Sequence, residues 1–372
     1  MLNCVDLFAG AGGFTLAAQN AGFDVRVAIE NDPHAANTYR KNFCSGPSRP
    51  HLVETDIELV DAAELAASIF DDTNVCDLIL GGPPCQGFST HRIKGAGIGD
   101  KRNDLIHAYF NFVCAFSPSA FLMENVPGML WDRHSEYLDR FYEEGAQAGY
   151  NIAPPIIVDA RDYGIPQRRK RVFILGTRSD IDATPLVWPP PNTHGDYTSR
   201  EKNSKLLPWV NCNDVFRPAP KNDPNNIHMC HGPELIEAFR NTPSNGGSRK
   251  DSGRVLKCHK KHDGHKDVYG RINPNLPAPT MTTACINPSK GRFVHPIEHH
   301  GITIRQAARI QTFPDEFCFS GGLTAAGKQI GNAVPIDLGT LLLRQIKSLL
   351  NEARNQLEKK PKTIERSKVE FV

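Results

Sequence analysis

Several features are missing from these 372 residues. No apolar run approaches the roughly 20 residues that cross a bilayer, so nothing supports a membrane role. The first residues lack the charged, apolar and cleavable pattern of a secretory signal. Ten cysteines are too sparse for a disulfide scaffold and include no C-x-x-C pair, which points to a reducing compartment, the cytoplasm. Charge of one sign is also scarce: the net charge is +2, too small by itself to name a partner. Internal repeats are absent.

What is present is apolar content of 40%, enough for a real core in one large domain or two ordinary ones. The first 180 residues alternate strand-like and helix-like pattern. Strand candidates are Asn3 to Phe8, Asp24 to Ile29, Cys76 to Leu80, Ala120 to Met123, Ile156 to Val158 and Arg171 to Leu175. This alternation predicts an α/β sheet, mostly parallel. From about Pro185 the texture changes to Pro, Asn, Gly, His and Lys without sustained periodicity, so loops are expected to dominate. Residues 177–270 hold 14 Lys and Arg against 11 Asp and Glu, with six of the fourteen histidines. That mild basicity suits phosphate contact and equally suits an ordinary solvated surface. A helical pattern resumes near Ile304, and a last amphipathic helix is expected to end near Leu350, before a charged tail. The α/β domain is thus completed from both chain ends around an inserted second domain.

Phe8-Ala9-Gly10-Ala11-Gly12-Gly13-Phe14 follows the first strand and opens a helix, where a backbone must pass close to a nucleoside. The dinucleotide fingerprint would need glycine at 15, and Thr15 stands there, which disfavours a pyrophosphate site. Glu30 closes the second strand and could accept both hydroxyls of a ribose; Asp56 could accept from an adenine amino group. Singly, each acid reads as a surface or capping residue, and their order after the glycine turn reverses that.

A more pointed question comes from Gly81-Gly82-Pro83-Pro84-Cys85-Gln86-Gly87-Phe88-Ser89-Thr90. A free cysteine is usually a small buried hydrophobe. This one follows an apolar strand, where open α/β sheets place their ligand crevice, and is flanked by loop-forming residues. Its thiol, with an ordinary pKa near 8.5, is a strong nucleophile once a base or a proton-accepting substrate lies close. A Cys-His hydrolase using His91 or His107 is conceivable, but nothing in the spacing pairs them. The next strand ends in Glu124-Asn125-Val126-Pro127, and a basic cluster, Gln167-Arg168-Arg169-Lys170-Arg171, runs into a later one. Nucleophile, carboxyl and arginines at successive strand ends would converge in one crevice.

In this order the motifs resemble the cytosine C5-specific DNA methyltransferases of bacterial restriction-modification type. The resemblance runs from Asp6 through Phe14, Glu30, Asp56, Gly82 to Ser89, Glu124 to Val126 and Gln167 to Arg171, then Arg271 to Thr280 and Gly331-Asn332-Ala333-Val334-Pro335. It implies an α/β fold of the class I S-adenosylmethionine-dependent, Rossmann-like kind, a mostly parallel sheet with a smaller, loop-rich target-recognition domain. The implied division is a catalytic, cofactor-binding domain over 1–180, target recognition over 181–298, hinge and completion of the catalytic domain over 299–350, and a charged tail over 351–372.

The resemblance also implies a mechanism. Cytosine C5 is a poor nucleophile toward a sulfonium methyl group. By resemblance the Cys85 thiolate adds to C6, Glu124 protonates or hydrogen-bonds N3, the resulting enamine takes the methyl group of S-adenosylmethionine, and loss of the C5 proton with departure of Cys85 restores the ring. Glu124 needs a pocket that raises its pKa or tightens its hydrogen bond. Arg169 would steer the base O2, Arg171 would hold the loop around Cys85, and Asn125 would fix neighbouring backbone. Phe8, Gly10, Gly12, Glu30, Asp56, Pro84 and Asn332 would line the cofactor. Gln86 and Ser89 would contact the gap left by the extruded base or its flanking phosphates, with Thr280 supporting the recognition loops. Within target recognition, Arg254, Lys257, Lys260 and Lys261 are phosphate candidates. Cys258, His259, His262 and His265 lack a second pair at finger spacing, and no metal is expected.

The partner implied is duplex DNA, for a monomeric enzyme in a bacterial cytoplasm; family habit adds a cognate endonuclease acting on the same site, with a solitary regulatory methylase or a phage-borne one left open. A relative within the family methylates transfer RNA, so substrate class stays open at this point. So does a module that binds cofactor without catalysis, although the intact Cys85, Glu124, Arg169 and Arg171 speak against it.

Overall fold

Leu2–Leu7 is buried at every position, as the centre of a parallel sheet covered on both faces requires. A computed structural model describes residues 1–46, 49–84, 104–253 and 267–359, and makes this segment strand β1. In chain order follow α1 (Gly13–Ala21), β2 (Phe23–Ile29), α2 (Pro33–Phe43), β3 (His51–Val53), α3 (Ala62–Ile69), β4 (Leu78–Gly81), α4 (Asp104–Phe116), β5 (Ala120–Asn125), α5 (Ser135–Gln147), β6 (Tyr150–Ile152), β7 (Ile156–Asp159) and β8 (Lys170–Arg178). The sheet order is β3-β2-β1-β4-β5-β8-β6, with β7 also on β8. The five strands from β3 to β5 are parallel. Strand β8 runs antiparallel to β5, so Asn125 at the end of β5 pairs with Val172 near the start of β8.

Side chains alternate between the faces, as a pleated strand demands. Leu2, Cys4, Leu78, Leu80 and Leu122 join the α1 side, whereas Val5, Leu7, Ile79, Phe121 and Met123 pack with α4 and α5 on the other. The turns into helices carry the expected chemistry. Asp32 accepts N–H bonds from His34 and Ala35 at the start of α2, ahead of Pro33 at its first position. The left-handed Gly22, φ +84, ends α1.

Beyond β8 regular structure thins to β9 (His194–Gly195), α6 (Tyr197–Lys202), β10 (Leu207–Pro208) and α7 (Pro233–Arg240). Loops here are held by side chains reaching backbone. Arg271, almost fully buried, donates to the carbonyls of Thr242, Phe239, His295 and Glu298 at 2.6–3.0 Å. Then come α8 (Ile304–Ile310), opened by the Thr303/Gln306 capping box, α9 (Gly322–Asn332) and α10 (Ile336–Lys359). The last helix lays Leu338, Leu342, Ile346 and Leu349 on Phe14, Ala17 and Ala18 of α1, at the spacing that makes one apolar stripe. It runs nine residues past the expected stop near Leu350. Residues 351–359 hold no Gly or Pro, and Arg354 pairs with the buried carboxylate of Asp77 at 2.8 Å. Among the described residues no helix is long and apolar enough to cross a membrane.

Candidate functional site

The C-terminal ends of β1, β2, β4 and β5 face the same way, and each delivers a segment singled out in the sequence. After β1 the chain turns through Phe8 at φ +57, Gly10 at φ +59 and Gly12 at φ +93. A Cβ at Gly12 would overlap the ring of Phe43, whereas the space a Cβ of Gly10 would occupy is open. Phe8, which is not glycine, is held in the left-handed region, local strain of a kind that collects at binding sites. The turn is fixed from below by Glu30: one carboxylate oxygen accepts the N–H of Gly10 and the other that of Asp32, both at 2.7 Å. Burial raises the pKa of Glu30 despite these two bonds. Each oxygen keeps a second lone pair for a hydroxyl donor.

Asp56, half-buried beyond β3, accepts the N–H of Glu58 at 3.2 Å. The segment around Asn332 closes the other side of the turn: Val334 and Ala333 lie against Gly13, so that a Cβ there would sit 3.2 Å from the Val334 carbonyl oxygen. Asn332 itself is exposed. An open space over a glycine turn, a desolvated carboxylate with spare acceptor capacity, and an exposed amide nearby fit a nucleoside cofactor.

Around β4 and β5 the geometry is tighter. Glu124 is 8% exposed and pairs with Arg171, Nε to Oε1 at 2.8 Å. Its pKa is raised, because burial outweighs the neighbouring guanidinium groups of Arg171 and Arg169. Gly82 leaves room beside this carboxyl, since a Cβ there would stand 3.1 Å from Oε2. Asn125 reaches back from β5 to donate to the Pro83 carbonyl at 3.3 Å, and its own Oδ1 accepts the N–H of Val126 at 2.8 Å. Pro83 is buried and Pro84 exposed. Cys85, Gln86, Ser89, Arg254, Lys257, Lys260 and Lys261 lie outside the described residues, as does the stretch from Cys258 to His265.

The basic cluster alternates in the manner of a strand: Gln167 and Arg169 point inward, Arg168 and Lys170 are exposed, and Arg171 is nearly covered. The two inward arginines differ in what they touch. Arg169 is 1% exposed, and its Nη groups are committed to the carbonyls of Met281, Gly331 and Ala333, each at 2.9 Å; only Nε is left without a partner. It is Arg171 that lies beside the carboxyl. Thr280 donates to the Arg168 carbonyl, bracing this strand start from the following loop. His107, considered as a base for Cys85, instead meets Glu144 at 2.9 Å.

Three polar residues at or behind the site had no role assigned from the sequence, although Asp6 and Gln167 stand within its motifs. Asp6, buried beneath the glycine turn, accepts from Thr15 at 2.7 Å, and burial pushes its pKa up to about 7. Gln167 and Gln311, both fully buried, bond to each other at 2.7 Å across more than 140 residues.

Residues 2–348 match the family model for C-5 cytosine-specific DNA methylase. The chain is 33% identical to a Type II methyltransferase, M.DdeI, of Desulfomicrobium norvegicum, over 93% of this chain and 88% of the relative. It is 32% identical to a Type II methylase, M.HgiDII, of Herpetosiphon aurantiacus, over 93% and 95%. Among solved structures, a putative DNA modification methyltransferase encoded within an E. coli prophage superposes with a TM-score of 0.70 at 27% identity, covering 94% of this chain and all of the other. Dnmt2 methyltransferase of S. pombe, 17% identical with a TM-score of 0.57 over 94% of this chain and 99% of the other, shares the fold. With these matches across nearly its whole length, the chain belongs to the C-5 cytosine-specific DNA methylase family.

Proposed function

We propose that this enzyme extrudes one cytosine from a short duplex target and methylates C5 through a transient Cys85–C6 bond. The observation that carries the reading is the buried Glu124–Arg171 pair beside Gly82, with Asn125 gripping the carbonyl of Pro83 two residues before Cys85. S-adenosylmethionine, whose use the family implies, supplies the methyl group when bound. Phe8, Gly10, Gly12, Glu30, Asp56, Pro84 and Asn332 are the residues we assign to hold it, Glu30 through its spare lone pairs.

The chain's own groups do the activation. Addition of the Cys85 thiolate to C6 pushes negative charge through the ring toward N3 and O2. A carboxyl whose pKa burial raises holds its proton more readily than a solvated one and can meet that charge at N3. Arg171 orients the carboxyl and is the arginine we place toward O2, since the Nη groups of Arg169 are taken up by backbone. When the C5 proton leaves, the electron pair re-forms the ring double bond and expels the thiolate.

Target reading is assigned to 181–298, where Arg254, Lys257, Lys260 and Lys261 are phosphate candidates. Gln86 and Ser89 are assigned to the gap or its flanking phosphates, and Thr280 to support of the loops. Relatives called a Type II methyltransferase and a Type II methylase support the reading that it protects host DNA from an endonuclease cutting the same site; we assign it as a monomer in a bacterial cytoplasm.

The test is transfer of labelled methyl from S-adenosylmethionine to unmethylated plasmid DNA and to bulk transfer RNA, wild type beside Cys85→Ala, followed by bisulfite mapping. Label in DNA at one short recurring motif, lost with the substitution, is the expected result. Label in RNA alone would overturn the substrate, and label surviving Cys85→Ala the mechanism.

A further inference from the structure

The GNAVP segment lays Ala333 and Val334 against the glycine turn and exposes Asn332, and the carbonyls on either side of Asn332 are bound by buried side chains. The Gly331 carbonyl accepts from Arg169 Nη2 at 2.9 Å. The Ala333 carbonyl accepts from both Arg169 Nη2 and Gln311 Nε2, each at 2.9 Å. The Ile330 carbonyl accepts from Gln311 Nε2 at 2.6 Å. Gln311 is fully buried, and its Oε1 accepts from Gln167 Nε2 at 2.7 Å; Gln167 Oε1 in turn accepts the N–H of Met281 at 2.8 Å. Gly331 rests directly on the Thr282–Thr283 backbone, where a Cβ would overlap it. Three buried side chains, Gln167, Arg169 and Gln311, thereby clasp the end of α9 to the start of β8, two residues from Arg171.

We propose that Gln311 is a positioning residue: through this clasp it sets the backbone on either side of Asn332 and registers the cofactor edge of the site against the strand that carries Arg171. Gln311 itself lies wholly beneath the surface, and Thr312 immediately after it turns the chain at φ +58 out of α8. Its side chain has no shorter route to function than the two backbone carbonyls it holds, those of Ile330 and Ala333. A hydrophobic replacement leaves the Ile330 carbonyl without this donor and Gln167 Nε2 with only the longer bond to the Ile310 carbonyl at 3.3 Å, while filling the same volume. The inference rests on the proposed cofactor role of Asn332, so the test separates the two.

The experiment measures KM for S-adenosylmethionine and kcat on unmethylated plasmid DNA for wild type, Gln311→Met, Asn332→Ala and the double variant, with a thermal melt of each. Gln311→Met is expected to raise KM for S-adenosylmethionine about tenfold, the scale of one buried polar group left unpaired. In the Asn332→Ala background the same substitution is expected to add little, because what it positions is gone. Effects on KM that multiply, or a Gln311→Met enzyme with lowered melting temperature and unchanged KM, would overturn the proposal and leave Gln311 a stabiliser only. An Asn332→Ala enzyme with wild-type KM would sink the role given to Asn332 instead. If Gln311→Met fails to fold, Gln167→Met breaks the same chain one link earlier and enters the same cycle, with the same two outcomes.

Discussion

A carboxyl group under the glycine turn carries more of this protein's pH dependence than its position in an apolar strand would indicate. Asp6 is 1% exposed, one of its oxygens has no partner, and its pKa is pushed up to about 7 chiefly by burial, against the lowering effect of the Thr15 hydroxyl. A native pKa above the ordinary value near 3.9 means that the folded chain binds a proton the unfolded chain has released. The contribution to stability is therefore fully present below about pH 4 and is lost as pH rises toward 7. Asp6→Asn keeps an acceptor for Thr15 and removes the titration. Urea unfolding from pH 4 to 8 is expected to show the wild type losing up to about 4 kcal/mol that the variant retains; parallel curves for the two proteins would refute a neutral Asp6. Glu30 and Glu124 were legible as site residues because each ends a strand in a recognisable run. Asp6 was not, since its consequence comes from Thr15 and from the packing above it, which spacing along the chain does not encode.

At the scale of elements, six strand expectations found strands, and the misses have physical reasons. His51–Val53 and Tyr150–Ile152 are three residues each at sheet edges, too short for an alternation to register. The reversal of β8 was equally invisible, because an apolar run has no direction. It matters to the site: only an antiparallel β8 brings the start of that strand, and with it Arg171, beside Glu124 at the end of β5. The motif at the end of α9 shows the opposite case, in which the sequence marked a place and the structure supplies the reason. Glycine is required at 331 because α9 seats on the Thr282–Thr283 backbone with no room for a methyl group. Gly331→Ala must displace backbone that Arg169 and Gln311 hold, and is expected to lower stability by about 1–3 kcal/mol, as overpacking does. Thermal melts measure this directly; a melting temperature equal to wild type would show that the two segments separate freely.

Over the whole molecule, the edge we assign to the cofactor draws on elements far apart in the chain. Helix α1 begins in the glycine turn, and what covers it is α10, more than three hundred residues later. Gly339 lets the helices close to the point where a Cβ would stand 2.8 Å from that of Ala17, and Lys347 donates to the carbonyls of Ala21 and Gly22 at the end of α1. The resemblance places 299–350 back with the first domain; α10, which begins within that range, packs on α1. The loop-rich stretch before it was legible only as texture, because groups such as Arg271 bind carbonyls from Thr242 to Glu298 without periodicity. Since α10 clamps the helix whose first turn is the proposed cofactor cradle, damage far from the site should be felt there. Leu342 is fully buried between the helices, and Leu342→Ala is expected to lose about 2–5 kcal/mol. S-adenosylmethionine at a hundredfold excess over its Kd should return about 2.7 kcal/mol of that loss by binding the folded state alone. Melting curves with and without the cofactor test both halves: a variant as stable as wild type would remove α10 from the core, and a destabilised variant that the cofactor cannot rescue would uncouple that core from the glycine turn.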